Sequence, residues 1–202
     1  MNYIQFKNKL NNFPIFSISN IRLIDENFDY RRLYEWQKKG YIKKIIKGYY
    51  VFTDVKLNEN ILFKIANKIY KPSYISFESA LYYYNLIPEI IYSITSASTR
   101  RTYEFNSSIT RFYYRTLKKE YFFGYKIIDN IKIASIEKAI VDYFYIKKDS
   151  LINQDDFSSI RINKDECISK INEKELYKIL TRFNKKSLTI NIENFLNWIK
   201  YA

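Results

Sequence analysis

The stretch DYRRLYEWQKKGYIKKIIKGYYVF, residues 29–52, is the segment that most clearly indicates the structure of the N-terminal part of this chain. Asp29 belongs to the residue types that cap the start of a helix, and Gly40 is the type that ends one. Between them, Leu33 and Trp36 fall on one helical face, as expected of a short helix that buries a single apolar stripe. The segment therefore predicts a helix whose remaining faces carry mostly basic residues.

The residues that follow this helix predict a two-stranded ribbon. Residues 41–45 form the first strand, Lys47-Gly48 forms the turn, and residues 49–52 form the returning strand. A helix followed directly by such a ribbon is the second half of a winged helix-turn-helix domain. In this domain the helix enters the major groove of DNA, and the wing lies against phosphate. The pattern predicts a DNA-binding head.

The side chains of this head divide into a core and a candidate DNA surface. The predicted core comprises Leu33, Trp36, Ile42, Ile45, Tyr50 and Phe52. Arginine can donate two hydrogen bonds to guanine, whereas lysine more often contacts phosphate. The predicted DNA-binding residues are Arg31, Arg32, Tyr34, Lys38, Lys39, Lys43, Lys44, Lys47 and Tyr49. The alternative is a generic helix and hairpin, in which edge lysines only discourage aggregation.

The charge of the chain also favours a nucleic-acid partner. Its 34 lysines and arginines exceed its 21 acidic residues, which gives a net charge of +13. Residues 1–56 hold 11 of the basic residues and 5 of the acidic ones, so the density of positive charge is highest there. Such a domain gains affinity for nucleic acid by releasing counterions. Alternatively, the excess charge only keeps a tyrosine-rich protein in solution.

Composition excludes most classes of enzyme. The chain has no histidine, which rules out Ser-His-Asp and Cys-His triads and histidine-bound zinc. A lone cysteine, Cys167, rules out an intrachain disulfide, and the three scattered glycines form no phosphate-binding loop. We expect no enzymatic activity, no metal and no cofactor. No stretch approaches the roughly 20 apolar residues that span a bilayer, and none resembles a signal peptide, so we expect a cytoplasmic protein without a membrane partner.

The whole chain is predicted to belong to the α+β class, with a winged-helix domain at residues 1–56 and a second domain at residues 57–202. We expect the second domain to hold a mainly antiparallel sheet and C-terminal helices. The predicted helices are 2–11, 19–24, 58–70, 78–85, 135–146, 173–183 and 192–201. The predicted strands of the second domain are 74–77, 90–97, 103–105, 109–117, 121–128 and 131–134, and residues 155–165 are expected to form a loop.

Two further groups of residues in the second domain carry charge. Arg100, Arg101, Arg111 and Arg115 form a candidate second basic surface, for DNA, a protein partner or a nucleotide. The alternative for these arginines is a solvated sheet face. Glu137 and Asp142 lie five apart, which is a poor fit to one helical face. We therefore expect Glu137 to cap its helix and Asp142 to hydrogen-bond in the core, rather than to catalyse a reaction.

Four blocks of sequence resemble the AbiEi-type antitoxins of bacterial abortive-infection, or type IV toxin–antitoxin, systems. They are the basic helix and wing that end in KGYYVFTD (47–54), PSYISFESALYYYNLIPE (72–89), SITSASTRRTYEF with RFYYRTL (93–105 and 111–117), and IKIASIEKAIVDYFY (131–145). They occur in the order that the family shows. The resemblance spans most of residues 29–146, and the last fifty residues match the family only in being helical.

The resemblance implies a function in two parts. The N-terminal domain would bind inverted repeats in its own promoter and repress the operon. The C-terminal domain would counter a partner toxin that resembles nucleotidyltransferases, without requiring a stable complex. A self-complementary operator implies two heads, supplied by a dimer or by cooperative monomers. The alternatives are a ligand-responsive winged-helix regulator without a toxin partner, and a Mg²⁺-dependent nuclease.

Overall fold

The computed structural model describes residues 1–11, 13, 15–88, 93–151 and 153–201, and it combines α-helices with two β-sheets. This confirms the α+β class. The elements of the N-terminal unit are α1 (Tyr3–Lys9), β1 (Ile15–Ser17), α2 (Ile18–Ile24), α3 (Arg31–Lys38), β2 (Ile42–Ile46) and β3 (Tyr49–Phe52). The side chains of Asn2 and Ser17 each accept a hydrogen bond from the backbone at the start of a helix, which defines where α1 and α2 begin.

The small sheet contains one strand more than the predicted ribbon. Its order is β1-β3-β2, with both pairings antiparallel, so the returning strand of the ribbon is central. β1 has only three residues, which is too short to show the alternation that identifies a strand. The predicted ribbon strands agree with β2 within one residue and with β3 at both ends.

The start of α3 differs from the prediction by one residue. Its N-cap residue is Tyr30, whose side chain makes no capping hydrogen bond, rather than Asp29. The Asp29 carboxylate instead accepts a hydrogen bond from the backbone N–H of Arg31, at 3.1 Å. The predicted end is confirmed, because α3 finishes at Lys38 and Gly40 follows with a φ of +72°.

A larger unit follows, built on a six-stranded sheet. Its strands are β4 (Ser73–Ile75), β5 (Ser93–Ser98), β6 (Tyr103–Asn106), β7 (Arg111–Thr116), β8 (Tyr125–Ile128) and β9 (Ile131–Ala134). The sheet order is β6-β7-β5-β4-β9-β8. The β4–β9 and β5–β7 pairings are parallel, and the other three pairings among these strands are antiparallel. The sheet, which was expected to be mainly antiparallel, is therefore mixed, and its two parallel pairings join strands that are not consecutive in the chain.

The helices of the larger unit cover this sheet and extend beyond it. They are α4 (Glu59–Ile69), α5 (Phe77–Tyr83), α6 (Ile136–Ile146), α7 (Gln154–Ser159), α8 (Lys164–Lys170), α9 (Glu173–Phe183) and α10 (Lys186–Tyr201). The loop predicted at 155–165 is wrong, since α7 and the start of α8 occupy it. Each of these two helices buries only one side chain, Phe157 or Cys167, so their apolar periodicity is too sparse to detect.

Other predicted boundaries change as well, notably that of α10, which begins at Lys186 rather than at residue 192. The strand predicted at 121–128 begins as a 3₁₀ turn at Lys119–Tyr121, and regular pairing starts only at Tyr125. Part of the strand predicted at 90–97 lies outside the described residues, and its described part is β5. No helix in the described part of the chain is long and apolar enough to cross a membrane.

The N-terminal unit is packed onto the larger one. All six predicted core residues of the head are buried, but Ile45 packs with Ile15 and Val51 in the core of the larger unit. The Nζ of Lys68 on α4 donates a hydrogen bond to the carbonyl oxygen of Ile15, at 2.7 Å. The small sheet thus buries one face in its own core and part of the other against α4.

Candidate nucleic-acid interface

The helix α3 presents one continuous outward face. Arg31, Tyr34 and Lys38 are spaced by three and four residues, which places them side by side on that face. The Arg31 side chain is 89% exposed, Tyr34 is 61% exposed, and the Lys38 Nζ lies 4.7 Å from the centre of the Tyr34 ring. Leu33 and Trp36 hold the opposite face in the core. Three of the predicted DNA-binding side chains are therefore brought together.

The Arg31 guanidinium is oriented by a neighbouring carboxylate. Its Nε and Nη2 donate hydrogen bonds to the two carboxylate oxygens of Asp29, each at 3.0 Å. The same contact lowers the pKa of the Asp29 carboxyl. Because the pair is exposed to solvent, it contributes little to stability. It therefore leaves Arg31 able to exchange this partner for a guanine edge or a phosphate.

Arg32 and Lys39 lie on the flank of α3 rather than on this outward face. The Nη1 of Arg32 donates a hydrogen bond to the carbonyl oxygen of Met1 at 2.7 Å, and the side chain is half-buried. Lys39 is the exposed C-cap residue of the helix. The structure thus separates these two predicted DNA-binding residues from the three that share the outward face.

The predicted wing keeps its lysines in solvent. Lys43 and Lys44 are exposed on β2, which is an edge strand, and Lys47 is exposed in the turn. The pairing register shifts between Lys44 and Ile46, and Ile45 is the buried residue at this bulge. The bulge lets β2 anchor in the larger unit while its lysines remain available to an anionic partner.

Tyr49 has a different environment from the one expected of a DNA contact. It is half-buried and packs against the core of the larger unit. The turn before it is tied down as well, because the backbone N–H of Ile18 donates to the carbonyl oxygen of Gly48 at 3.1 Å. Gly48 has a φ of +82°, which a side chain would strain. The wing is accordingly short and held against the start of α2.

The strand β7 carries half of the second basic surface. Arg111 and Arg115 are exposed, with Tyr113 half-buried between them on the same face. The Arg115 guanidinium lies 6.0 Å from the centre of the Tyr113 ring. The intervening Phe112 and Tyr114 are buried on the opposite face, and the Tyr114 hydroxyl donates to the carbonyl oxygen of Ala66 on α4. Arg111 and Arg115 therefore project from the same face of the sheet, as their even spacing predicted.

Arg100 and Arg101 lie on the other side of the sheet edge. Their guanidinium groups lie 5.2 Å from the Tyr70 ring and 5.5 Å from the Tyr103 ring, respectively. Tyr103 pairs with Tyr114, whose side chain faces α4, so these two arginines border the face opposite to Arg111 and Arg115. The four arginines expected to form one surface are divided between two.

The turn between β6 and β7 joins the β7 face to the wing. The Ser108 Oγ donates a hydrogen bond to the carbonyl oxygen of Lys44, at 3.1 Å. Arg111 follows three residues later, so its Cα lies within about 11 Å of that of Ser108. The exposed Arg111 is thus close in the chain to a turn that contacts the wing strand β2.

A buried ionic network in the larger unit was not anticipated from the sequence. Lys138 and Asp142, one helical turn apart on α6, form a salt bridge with no exposed side-chain surface. The Asp142 carboxylate also accepts hydrogen bonds from the hydroxyls of Tyr74 at 2.8 Å and Ser76 at 2.9 Å. Burial raises the pKa of Asp142 and lowers the pKa of Lys138, while the contact between them opposes both shifts.

The role of this network is structural, because it joins α6 to β4 inside the core. The spacing of Lys138 and Asp142 was the available signal, since residues four apart share a helical face. The predicted core hydrogen bonding of Asp142 is confirmed. Glu137 does not cap its own helix as expected; its Oε1 accepts from the backbone N–H of Asn172, the N-cap residue of α9, at 3.1 Å.

Comparisons with known proteins add no assignment. Neither models of known protein families nor curated proteins gave a match to this chain. Its function is therefore inferred from the residues and contacts described above, together with the resemblance of the four sequence blocks.

Proposed function

We propose that this chain is a winged-helix DNA-binding antitoxin that represses its own operon and counteracts a partner toxin resembling nucleotidyltransferases. The first support is the order of elements, in which three helices and a short strand precede a two-stranded ribbon, with the ribbon's return strand in the centre of the sheet. A DNA-binding domain of this kind presents its third helix to the major groove. In this chain that helix is α3.

The observation that carries the DNA-binding part is the outward face of α3. Arg31, Tyr34 and Lys38 project together from a helix whose opposite face is fixed by Leu33 and Trp36. We assign base contact to Arg31, since arginine reads guanine with two donors. We assign phosphate contact to the wing lysines and to Arg111, which follows the turn that is hydrogen-bonded to the wing.

The antitoxin part is supported by the resemblance of the four sequence blocks, three of which lie in the larger unit. The partner would be encoded next to this chain, and both proteins would act in the cytoplasm. Its toxicity should be relieved when this chain is expressed with it. Growth of cells that express the neighbouring gene, with and without this chain, measures that effect. Continued growth arrest despite full expression of this chain would contradict the antitoxin assignment.

The repressor part is tested in cells with a reporter gene placed behind the chain's own promoter. Wild-type protein supplied in trans should repress the reporter, and Arg31→Ala should relieve that repression. Lys174→Ala is the matched control, because it also removes one positive charge from an exposed helical position, on α9. Equal repression by wild type and Arg31→Ala at equal protein levels would contradict the assignment of α3 to the operator.

A further inference from the structure

A cavity of about 530 Å³ lies where the N-terminal unit meets the larger one. It is formed by Phe13 and β1, by α4 and the residues from there to the start of β4, and by the turn between β8 and β9 with the start of β9. Its described lining residues are Phe13, Ile15, Lys64, Asn67, Lys68, Lys71, Pro72, Ser73, Asn130 and Lys132. Ligand cavities in proteins commonly fall between about 300 and 1,000 Å³. This cavity is therefore large enough for a metabolite.

All the charged residues in the described lining of this cavity are positively charged. Four lysines contribute to it, namely Lys64, Lys68, Lys71 and Lys132, and none of its described lining residues is acidic. No carboxylate among the described residues lies within ion-pair distance of any of the four. The pKa of Lys68 is lowered, first by burial and then by the charge of Lys71. An anion placed here would relieve this repulsion between like charges.

Two polar groups of the lining are buried without a partner among the described residues. Ser73 is only 3% exposed, and its Oγ makes no hydrogen bond. Asn67 accepts a bond from the backbone N–H of Lys132 through Oδ1, at 2.6 Å, and its Nδ2 is left buried and unpaired. Buried polar groups are normally paired, because leaving one unpaired forfeits its hydrogen bonds to water without replacement. Both groups belong to residues that line the basic cavity, and a rotation of each side chain would turn its donor towards an anion bound there.

The cavity also offers an apolar surface. The Phe13 ring and Pro72 belong to its lining, and the Nζ of Lys68 lies 5.7 Å from the centre of the Phe13 ring. An aromatic base packs well on such groups, whereas inorganic phosphate alone would leave much of this volume unfilled. The complementary ligand is thus a molecule with several phosphate groups at one end and an aromatic ring at the other.

We propose that this cavity binds a nucleoside di- or triphosphate. Its phosphates lie among Lys64, Lys68, Lys71 and Lys132, with Ser73 and Asn67 donating hydrogen bonds, and its base packs on Phe13 and Pro72. The site lies between the two units and is distinct from the outward face of α3. It does not depend on the DNA-binding proposal.

Calorimetric titration of the full chain near physiological salt tests this site, with ATP, ADP, pyrophosphate and adenosine as probes. We expect ATP and ADP to bind at one site per chain, pyrophosphate to bind more weakly, and adenosine to bind least. Equal affinity for pyrophosphate and ATP would overturn the assignment of the base. Absence of heat with all three phosphate compounds would overturn the site. Displacement of ATP by a short duplex of unrelated sequence would assign the lysines to DNA instead, and would also overturn it.

Two double variants distinguish ATP binding at this site from the general electrostatic attraction of ATP to a basic protein. Lys64→Ala/Lys71→Ala should weaken ATP binding about tenfold or more, because it removes two charged donors from the phosphates. The control Lys148→Ala/Lys174→Ala removes the same charge from exposed positions elsewhere and should leave the affinity within about twofold. Equal losses of affinity in the two double variants would overturn the proposal.

Ser73→Ala gives a second and independent readout. Removing an unpaired buried hydroxyl should leave the melting temperature of the free protein unchanged or higher. The same change should weaken ATP binding about fivefold or more, because it removes a hydrogen bond to the ligand. A variant as stable as wild type that binds ATP with unchanged affinity would overturn the role of Ser73 and, with it, the placement of the phosphates.

Discussion

Arg31 and Arg32 are adjacent in the chain, yet their side chains have different surroundings. Arg31 is exposed on the same face as Tyr34 and Lys38, and among the described residues it pairs only with the exposed Asp29. Arg32 is half-buried and bound to the carbonyl oxygen of Met1. The sequence alone cannot predict which of two adjacent arginines is exposed, because the difference depends on where α1 and Met1 lie in the folded protein.

This difference predicts unequal effects of two similar substitutions. Arg31→Ala should cost about 1–3 kcal/mol of operator affinity and little affinity for unrelated DNA. Arg32→Ala should change operator affinity less, because its guanidinium is engaged within the protein. Titration of labelled operator and scrambled duplexes with both variants measures the difference. A larger specific loss for Arg32→Ala than for Arg31→Ala would contradict this placement of α3.

The buried pair of Lys138 and Asp142 predicts a large and asymmetric effect on stability. Asp142→Asn should lower the free energy of unfolding by about 3–5 kcal/mol, because it leaves the Lys138 ammonium buried without a counter-charge. The double variant Lys138→Met/Asp142→Leu removes both charges and should recover much of this loss. Chemical denaturation of the three proteins measures both effects. A double variant less stable than Asp142→Asn would contradict the account.

The same pair predicts the sign of a pH effect. Burial lowers the pKa of Lys138 below its ordinary value of 10.5, and loss of Asp142 removes the charge that opposes this shift. The unfolded chain then holds the Lys138 proton more tightly than the folded one, so stability rises with pH between the two values. The free energy of unfolding of Asp142→Asn should therefore increase towards about pH 10, relative to wild type. A decrease relative to wild type over this range would contradict it.

At the scale of elements, the wing is expected to act through charge alone. Lys43→Ala/Lys47→Ala should weaken binding to operator and scrambled duplexes alike, because interactions of lysine with phosphate carry no sequence information. The slope of log affinity against log salt should become shallower by about one for each lysine that no longer neutralises a phosphate. Binding measured at several salt concentrations tests this expectation. A loss of affinity confined to the operator would contradict it and would place a wing lysine against bases.

The sequence predicted those elements whose signals are local. α9 and β9 match at both ends, because their periodic apolar residues mark them directly. β1, α7 and α8 were missed, because three residues of strand, or one buried side chain in a helix, leave no periodicity to detect. The same limit applies to the candidate nucleic-acid interface, where only features with a local sequence signal could be predicted. The exposed residues of α3 could be predicted, whereas the burial of Tyr49 depends on a distant unit.

At the scale of the whole molecule, the two units share part of their core, although the N-terminal unit also has a core of its own. Ile15, Ile45 and Val51 of the small sheet pack among the buried residues of the larger unit. The order of strands, the separation of the four arginines and the cavity between the units all follow from such long-range packing. Local patterns carry no information on it, which is why none of these features was predicted.

This shared core predicts that the two units unfold together. Ile45→Ala should lower the free energy of unfolding by about 2–5 kcal/mol. The loss should appear equally in the Trp36 fluorescence of a Trp198→Phe background, which reports on the head, and in far-ultraviolet circular dichroism, which reports on the whole chain. Ile4→Ala, at an exposed position, should stay within about 0.5 kcal/mol of wild type. Separate transitions for the two signals would contradict a shared core.

Binding of the full chain to its own upstream DNA is the sharpest test of the claim that the outward face of α3 recognises a specific operator. The competitor is a scrambled duplex of equal length and composition, and the salt concentration is varied. We predict a preference for the upstream DNA that persists at about 200 mM salt and is lost in Arg31→Ala/Tyr34→Ala. Equal binding of wild type to both duplexes, falling steeply and alike with salt, would contradict the claim.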